Sequence, residues 1–269
     1  MTDRWLELGE GVYARRYAEL DLTVGLVVGR EKCLVVDTRG DTVQGAELAA
    51  AVREITPLPW TIAITHSHFD HSFGTAAFGP CEVWAHPGCR EDLITDGENA
   101  RAKRSQWYRD RGEPAIADAI AATELVLPEH LVDDEQELPL GGRAVVLAYH
   151  GPAHSGHDLT VRVPDAGVLF AGDLVEHGPE GTFTTDSFGT DTVLDGWPPA
   201  LAAIAALDFP VVVPGHGEPV DTAFVVRQHR LLADLVALVE SGASDDEIVA
   251  GSALPPEVTR AALARRPAR

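Results

Sequence analysis

The chain is expected to fold as an α/β protein with two layers of strands and helices packed together. Three observations predict this. Short apolar, β-branched runs alternate with segments of helical period in both halves of the 269 residues. An apolar content of 45 % supplies a full core. Metal-type side chains fall at the ends of the apolar runs, where open α/β sheets place their sites. The length suits one large domain or two small ones. No linker, low-complexity tract or short tandem repeat divides it, so residues 1–269 are read as one domain.

Residues 5–37 read as a run of short strands punctuated by Gly9, Gly11, Gly25 and Gly29. The last of them, 33–36, is apolar enough for burial on both faces and ends at Asp37. Asp37 is placed either as an outer acceptor for a metal-binding imidazole or as a loop or N-terminal capping residue. Residues 42–55 carry Val43, Ala46, Leu48, Ala51, Val52 and Ile55 at helical period, and Pro57 and Pro59 stop that helix. Residues 60–64 form a buried strand and 73–78 the start of a helix. A short strand at 82–85 follows, with His86 structural. Residues 86–125 are charged and helix-like, a helical insertion over the sheet in which Trp107 and Tyr108 serve the core or roof a pocket. Residues 131–140 look acidic and turn-like. Strands are expected at 144–149, 159–163 and 168–171, the last two joined by a hairpin-type connection. Residues 176–196 are Gly- and Thr-rich and read as a long functional loop. A helix at 197–206, a strand at 211–213 and amphipathic helices within 222–269 complete the chain.

The densest chemistry lies at residues 65–74, THSHFDHSFG. On an extended loop alternate side chains point the same way, so His66 and His68 can grip one ion. Asp70 and His71 follow on the turn and reach a second. A polar, solvated loop is the competing reading, but imidazole is the commonest metal ligand and the spacing suits chelation.

Charge and cysteine content narrow the partners. With 42 acidic against 21 basic residues the net charge is −21, which repels nucleic acid and anionic membranes. Cys33, Cys81 and Cys89 form no C-x-x-C pair, so neither a thiolate zinc site nor a disulfide framework is suggested. The N-terminus lacks a basic-then-apolar signal pattern, and no apolar run of 18 residues or more occurs. A soluble, cytoplasmic protein with a small-molecule substrate is expected.

Three more places carry metal-type residues at predicted strand ends: His154 in a Gly/Pro loop after 144–149, Asp173 after 168–171, and glycine-flanked His216 after 211–213. With the first cluster they make five His and two Asp, enough for a two-metal site.

On these motifs the chain resembles the metallo-β-lactamase superfamily, whose H-x-H-x-D-H pattern stands here as His66, His68, Asp70 and His71. The resemblance covers roughly residues 8 to 220. It implies a four-layer αββα sandwich, two mixed sheets face to face with helices outside. It also implies two Zn2+ ions, with Fe or Mn as alternatives. His66, His68 and His154 would hold the first, Asp70, His71 and His216 the second, and Asp173 would bridge them. A metal-bridging hydroxide oriented by Asp70, the catalytic residue, would then hydrolyse a small ester, lactone, thioester or amide. Asp173 stands where the dedicated zinc β-lactamases have Cys, so a primary β-lactamase role is disfavoured. A mononuclear iron dioxygenase like the persulfide dioxygenases needs fewer ligands. A nuclease is opposed by the charge. A non-catalytic metal-binding domain is opposed by the retained Asp70 and Asp173. The loop around His154 matches the family only loosely, leaving His157 as a substrate contact or a bystander. Phe69, His157, Phe183 and Phe188, with Trp107 and Trp197, are the candidate pocket residues.

Overall fold

The computed structural model describes residues 3–266, so the first two and last three residues of the predicted ranges lie outside it. Among the described residues the strands form two mixed sheets. The first runs β1 (Trp5–Gly9), β2 (Val12–Arg16), β3 (Thr23–Val28), β4 (Cys33–Val36), β5 (Trp60–Ala63), β6 (Val83–Ala85) and β7 (His130–Leu131) in spatial order. Its first four strands pair antiparallel and β4 to β7 pair parallel. The second contains β8 (Glu135–Pro139), β9 (Ala144–Tyr149), β10 (Leu159–Val163), β11 (Val168–Glu176) and β12 (Val211–His216), with β11 and β12 parallel.

Alternation along the strands makes three apolar layers. Val12, Val27, Leu34, Val36 and Ala63 of the first sheet face Leu147, Val161, Val168, Phe170 and Val213 of the second. On the outer side of the first sheet, Leu26, Cys33, Val35 and Ile62 meet α1 (Thr42–Ile55), α3 (Pro87–Thr95), α4 (Gly97–Asp110) and α5 (Pro114–Ala122). Leu169, Ala171 and Val212 point the opposite way. They meet α6 (Trp197–Ala206), α7 (Thr222–Glu240), α8 (Asp245–Gly251) and α9 (Pro256–Leu263). The result is the αββα sandwich. Helix starts are set locally: Asp41 accepts hydrogen bonds from Val43 N and Gln44 N at α1, a cap that contributes about 1 kcal/mol.

Three local expectations are corrected. Residues 131–140 are not a turn but hold the end of β7 and all of β8. β8 is an edge strand with only Leu138 buried, so its charged residues hide the period-2 pattern while protecting the open edge. Residues 73–78 form a 3-10 segment, preceded by the single turn α2 (Phe69–Ser72). Third, β11 runs past Asp173 to Glu176, and its pairing with β12 slips on both sides of Gly172. Gly172 sits at φ 53, and a Cβ there would press on the Thr65 side chain at 2.9 Å. This bulge re-aims the strand where Asp173 emerges.

Residues 86–125 contain three helices, α3, α4 and α5. Tyr108 of α4 is buried and its hydroxyl donates to Glu19 Oε1 at 2.5 Å, while Trp107 packs partly buried against the same cluster. Arg104 lies over the Phe69 ring at 4.3 Å, so the insertion is docked on the loop that carries the histidines.

Candidate metal centre

The edges of both sheets deliver the chemistry to one place. β5 leads into His66, His68, Asp70 and His71; β9 leads into the loop of His154; β11 carries Asp173; β12 ends on His216. An isolated bridge between Leu22 and His216 ties the two sheets together beside the centre. The donors form two groups, His66, His68, His154 and Asp173, and Asp70, His71 and His216, either of which can hold an ion.

Asp173 joins the groups. Its Oδ2 lies 3.6 Å from His66 Nε2, 3.5 Å from His154 Nε2 and 3.2 Å from His216 Nε2. Its Oδ1 lies 3.2 Å from His71 Nε2. Asp70 Oδ2 is 3.5 Å from His216 Nε2 and 3.8 Å from His71 Nε2.

The outer nitrogens decide which inner atoms are free. Asp37 Oδ2 accepts from His71 Nδ1 at 2.8 Å and from the Thr65 hydroxyl at 2.9 Å, and Oδ1 accepts from Thr65 N at 2.8 Å. Thr65 Oγ1, its proton committed to Asp37, accepts from His66 Nδ1 at 3.0 Å. His216 Nδ1 donates to the Leu20 carbonyl at 2.8 Å and His154 Nδ1 to the Ser187 carbonyl at 3.0 Å. His68 is turned the other way, donating from Nε2 to Asp191 Oδ2 at 2.9 Å. The inward nitrogens are therefore left as lone pairs. His154 Nε2 faces His68 Nδ1 at 3.1 Å, and His71 Nε2 faces His216 Nε2 at 3.4 Å. Lone pairs so close repel unless a cation or proton lies between them. His66 Nε2 and Asp173 Oδ1 are buried with no hydrogen-bond partner, which a polar atom in a protein interior rarely tolerates. Five imidazoles, two carboxylates and fixed outer partners fit metal ions.

A family model of the metallo-beta-lactamase superfamily matches residues 20–216. The chain belongs to this superfamily. Among its curated relatives is a linear primary-alkylsulfatase of Pseudomonas sp. (strain ATCC 19151), 24% identical over 269 residues, 87% of this chain and 50% of that protein. Another is the acyl-coenzyme A thioesterase MBLAC2 of Gallus gallus, 28% identical over 186 residues, 64% of this chain and 65% of that protein. The chain thus spans half the length of the first and just under two thirds of the second. A metallo-beta-lactamase structure from Pontibacter korlensis shares the fold with a TM-score of 0.63 at 19% identity, covering 86% of this chain and 99% of that one.

Within this superfamily member, electrostatics follow from burial and from Asp173. Burial alone would lower every imidazole. It prevails at His154, pushed down to about 4, and at His66, held well below the usual value with neighbouring imidazoles adding to the effect. Asp173 outweighs burial at His216, raised to about 10, and at His71, raised well above the ordinary range with help from Asp37 and Asp70. Without a cation, protons take its place between His71, His216 and Asp173.

The pocket residues fare differently. Phe183 and Phe188 are buried in the core, 2 % and 3 % exposed, with their rings 5.1 and 5.6 Å from Trp197. They form no pocket wall, because the 176–196 loop folds inward over α6 and α7. Phe69 packs against Phe73 and Tyr108. His157 is 5 % exposed and its Nε2 accepts from Ser67 N at 3.3 Å. It supports the loop between His66 and His68. Burial lowers it to about 4, which keeps that nitrogen free to accept. Asp37 is the outer acceptor and no helix cap. His86 is structural, its Nδ1 accepting from Gly88 N at the start of α3. Sequence reasoning missed Thr65, Ser187, Asp191 and the Leu20 carbonyl. Only Asp191 had a signal, a carboxylate in a loop already marked as functional.

Proposed function

We propose that this protein is a dinuclear, zinc-dependent hydrolase of a small ester, lactone, thioester or amide. The observation that carries the reading is the convergence of six buried or half-buried donors around a seventh, Asp173, with His66 Nε2 and Asp173 Oδ1 left without hydrogen-bond partners. His66, His68, His154 and Asp173 would hold one ion, and Asp70, His71, His216 and Asp173 the other. Nitrogen and carboxylate donors without thiolate suit zinc. Two such ions, when bound, supply a water of lowered pKa and polarise the bond to be cleaved.

The chain's own groups do the rest. The Asp70 carboxylate lies 3.8 Å from His71 Nε2 and 3.5 Å from His216 Nε2, where it would accept a hydrogen bond from the attacking solvent and orient it. Asp37 and Thr65 keep His71 and His66 in one tautomer. Trp197, edge-on to His154 at 5.4 Å with Phe183 and Phe188 behind it, excludes water from the back of the centre. The seven donors favour a dinuclear hydrolase over a mononuclear dioxygenase. The alkylsulfatase match over 87% of the chain supports a second reading, hydrolysis of an alkyl sulfate.

The test is a screen of the zinc-loaded protein on lactones, thioesters, carboxylic esters, β-lactams and an alkyl sulfate. Turnover on an acyl substrate, abolished by chelation and lowered roughly 10²–10⁴-fold by Asp70→Asn, is expected. Full turnover after metal removal would overturn the reading.

A further inference from the structure

We infer that Asp191 is a positioning residue that fixes the tri-histidine half of the metal centre, the half whose imidazoles are oriented by the 177–196 loop. The inference rests on the metal centre of the proposed function. His68 is the one imidazole of the five that turns its Nδ1 inward, and it is held so by the 2.9 Å bond from its Nε2 to Asp191 Oδ2. The same loop holds His154 twice. The Ser187 carbonyl accepts from its Nδ1 at 3.0 Å, and Thr192 Oγ1 donates to its carbonyl at 2.9 Å. Two of the three imidazoles in this half therefore have their orientation set by one loop.

The loop is itself anchored. The Ser187 hydroxyl donates to Glu176 Oε2 at 2.6 Å, Val193 N donates to the Ala153 carbonyl at 2.8 Å, and Arg265 Nε donates to the Phe188 carbonyl at 3.1 Å. The other half takes no imidazole partner from it, although His177 N donates to the His216 backbone carbonyl at 2.9 Å. His71 is held by Asp37 at the end of β4 and His216 by the Leu20 carbonyl before β3. Gly189 reports the same constraint independently: a Cβ there would lie 2.6 Å from Asp191 Oδ1 and 3.6 Å from His68 Cε1. A side chain at residue 189 would displace the carboxylate from its position on His68. Since linkage is reciprocal, an ion in this half steadies the loop as much as the loop steadies the ion.

Zinc titration of the metal-free protein by calorimetry, with limited proteolysis of the 177–196 loop, tests this without reference to turnover. In Asp191→Ala one equivalent should keep the wild-type affinity and the other weaken roughly 10–100-fold, the usual effect of losing an outer partner of a metal ligand. Zinc should protect the loop from cleavage in wild type and much less in the variant. Asp191→Asn, whose side-chain oxygen can still accept from His68, should restore most of the loss. Gly189→Ala should weaken the same equivalent with the carboxylate still present, and carries the test if Asp191→Ala does not fold. Wild-type binding of both equivalents by Asp191→Ala, or equal weakening of both, would overturn the inference. A protein that binds two zinc ions with this asymmetry yet turns over no substrate would instead overturn the hydrolase reading alone.

Discussion

Each imidazole of the centre spends one nitrogen on a fixed acceptor and turns the other inward, and Asp37 serves two of them at once. It takes the proton of His71 directly and, through Thr65, sets that of His66. Asp37 does so from the left-handed region at φ 65, a conformation costly for a residue other than glycine and tolerated best by Asp and Asn. Asp37→Ala is expected to weaken zinc binding roughly 10–100-fold, with Asp37→Asn milder; metal titration checks it. His216 gives the pH dependence. Burial would lower it, but the Asp173 and Asp70 carboxylates hold it at about 10, so at pH 7 the metal-free protein carries a proton there. Zinc must displace that proton. Apparent affinity should rise with pH until about 10, and calorimetry in buffers of different ionisation enthalpy should show net proton release at pH 7. In the metal-free chain this pair stabilises fully below the ordinary value of 6.5, and its contribution is lost as pH rises through about 10. At this scale the seven donors were legible because uncommon side chains recur where strands end. The Leu20 and Ser187 carbonyls were not, since every residue has one. Phe183 and Phe188 misled because an aromatic in a Gly-rich loop looks the same whether it lines a pocket or plugs the core.

Elements place these residues by close approach. Gly45 of α1 lies against the 3-10 segment 73–78, and a Cβ at Gly74 would overlap the Thr38 carbonyl. Thr38 N and its hydroxyl in turn donate to the His71 carbonyl at 2.7 and 3.1 Å. Gly74→Ala should therefore push α1 and the histidine loop apart and cost roughly 1–3 kcal/mol, read as a lower denaturation midpoint with an unchanged slope. β11 teaches a similar lesson about reading. Gly172 and Asp173 look like the end of a strand, yet backbone pairing with β12 resumes at Glu176, and all nine residues of β11 are buried. A bulge is a tertiary event and leaves only a glycine in the sequence. β8 was missed for the opposite reason, that edge strands wear polar side chains.

For the whole molecule, the alternation of strand and helix runs and the positions of the donors sufficed to foresee two layers with a site at one edge. Periodicity reports which face of an element is apolar, and that is what the three core layers use. It does not report what the helical insertion touches, and the docking of Arg104 on Phe69 appears only in three dimensions. No helix among the described residues is long and apolar enough to cross a membrane. The chain carries a net charge of −21, a balance that favours divalent cations over anionic partners. The most direct test of the account is the number of zinc ions bound by the metal-free chain at equilibrium, compared with Asp173→Asn. Two per wild-type chain, with both sites weakened together by that single substitution, is the predicted result. One ion or none in wild type, or an Asp173→Asn variant that still binds two at full affinity, would contradict a centre built around that carboxylate.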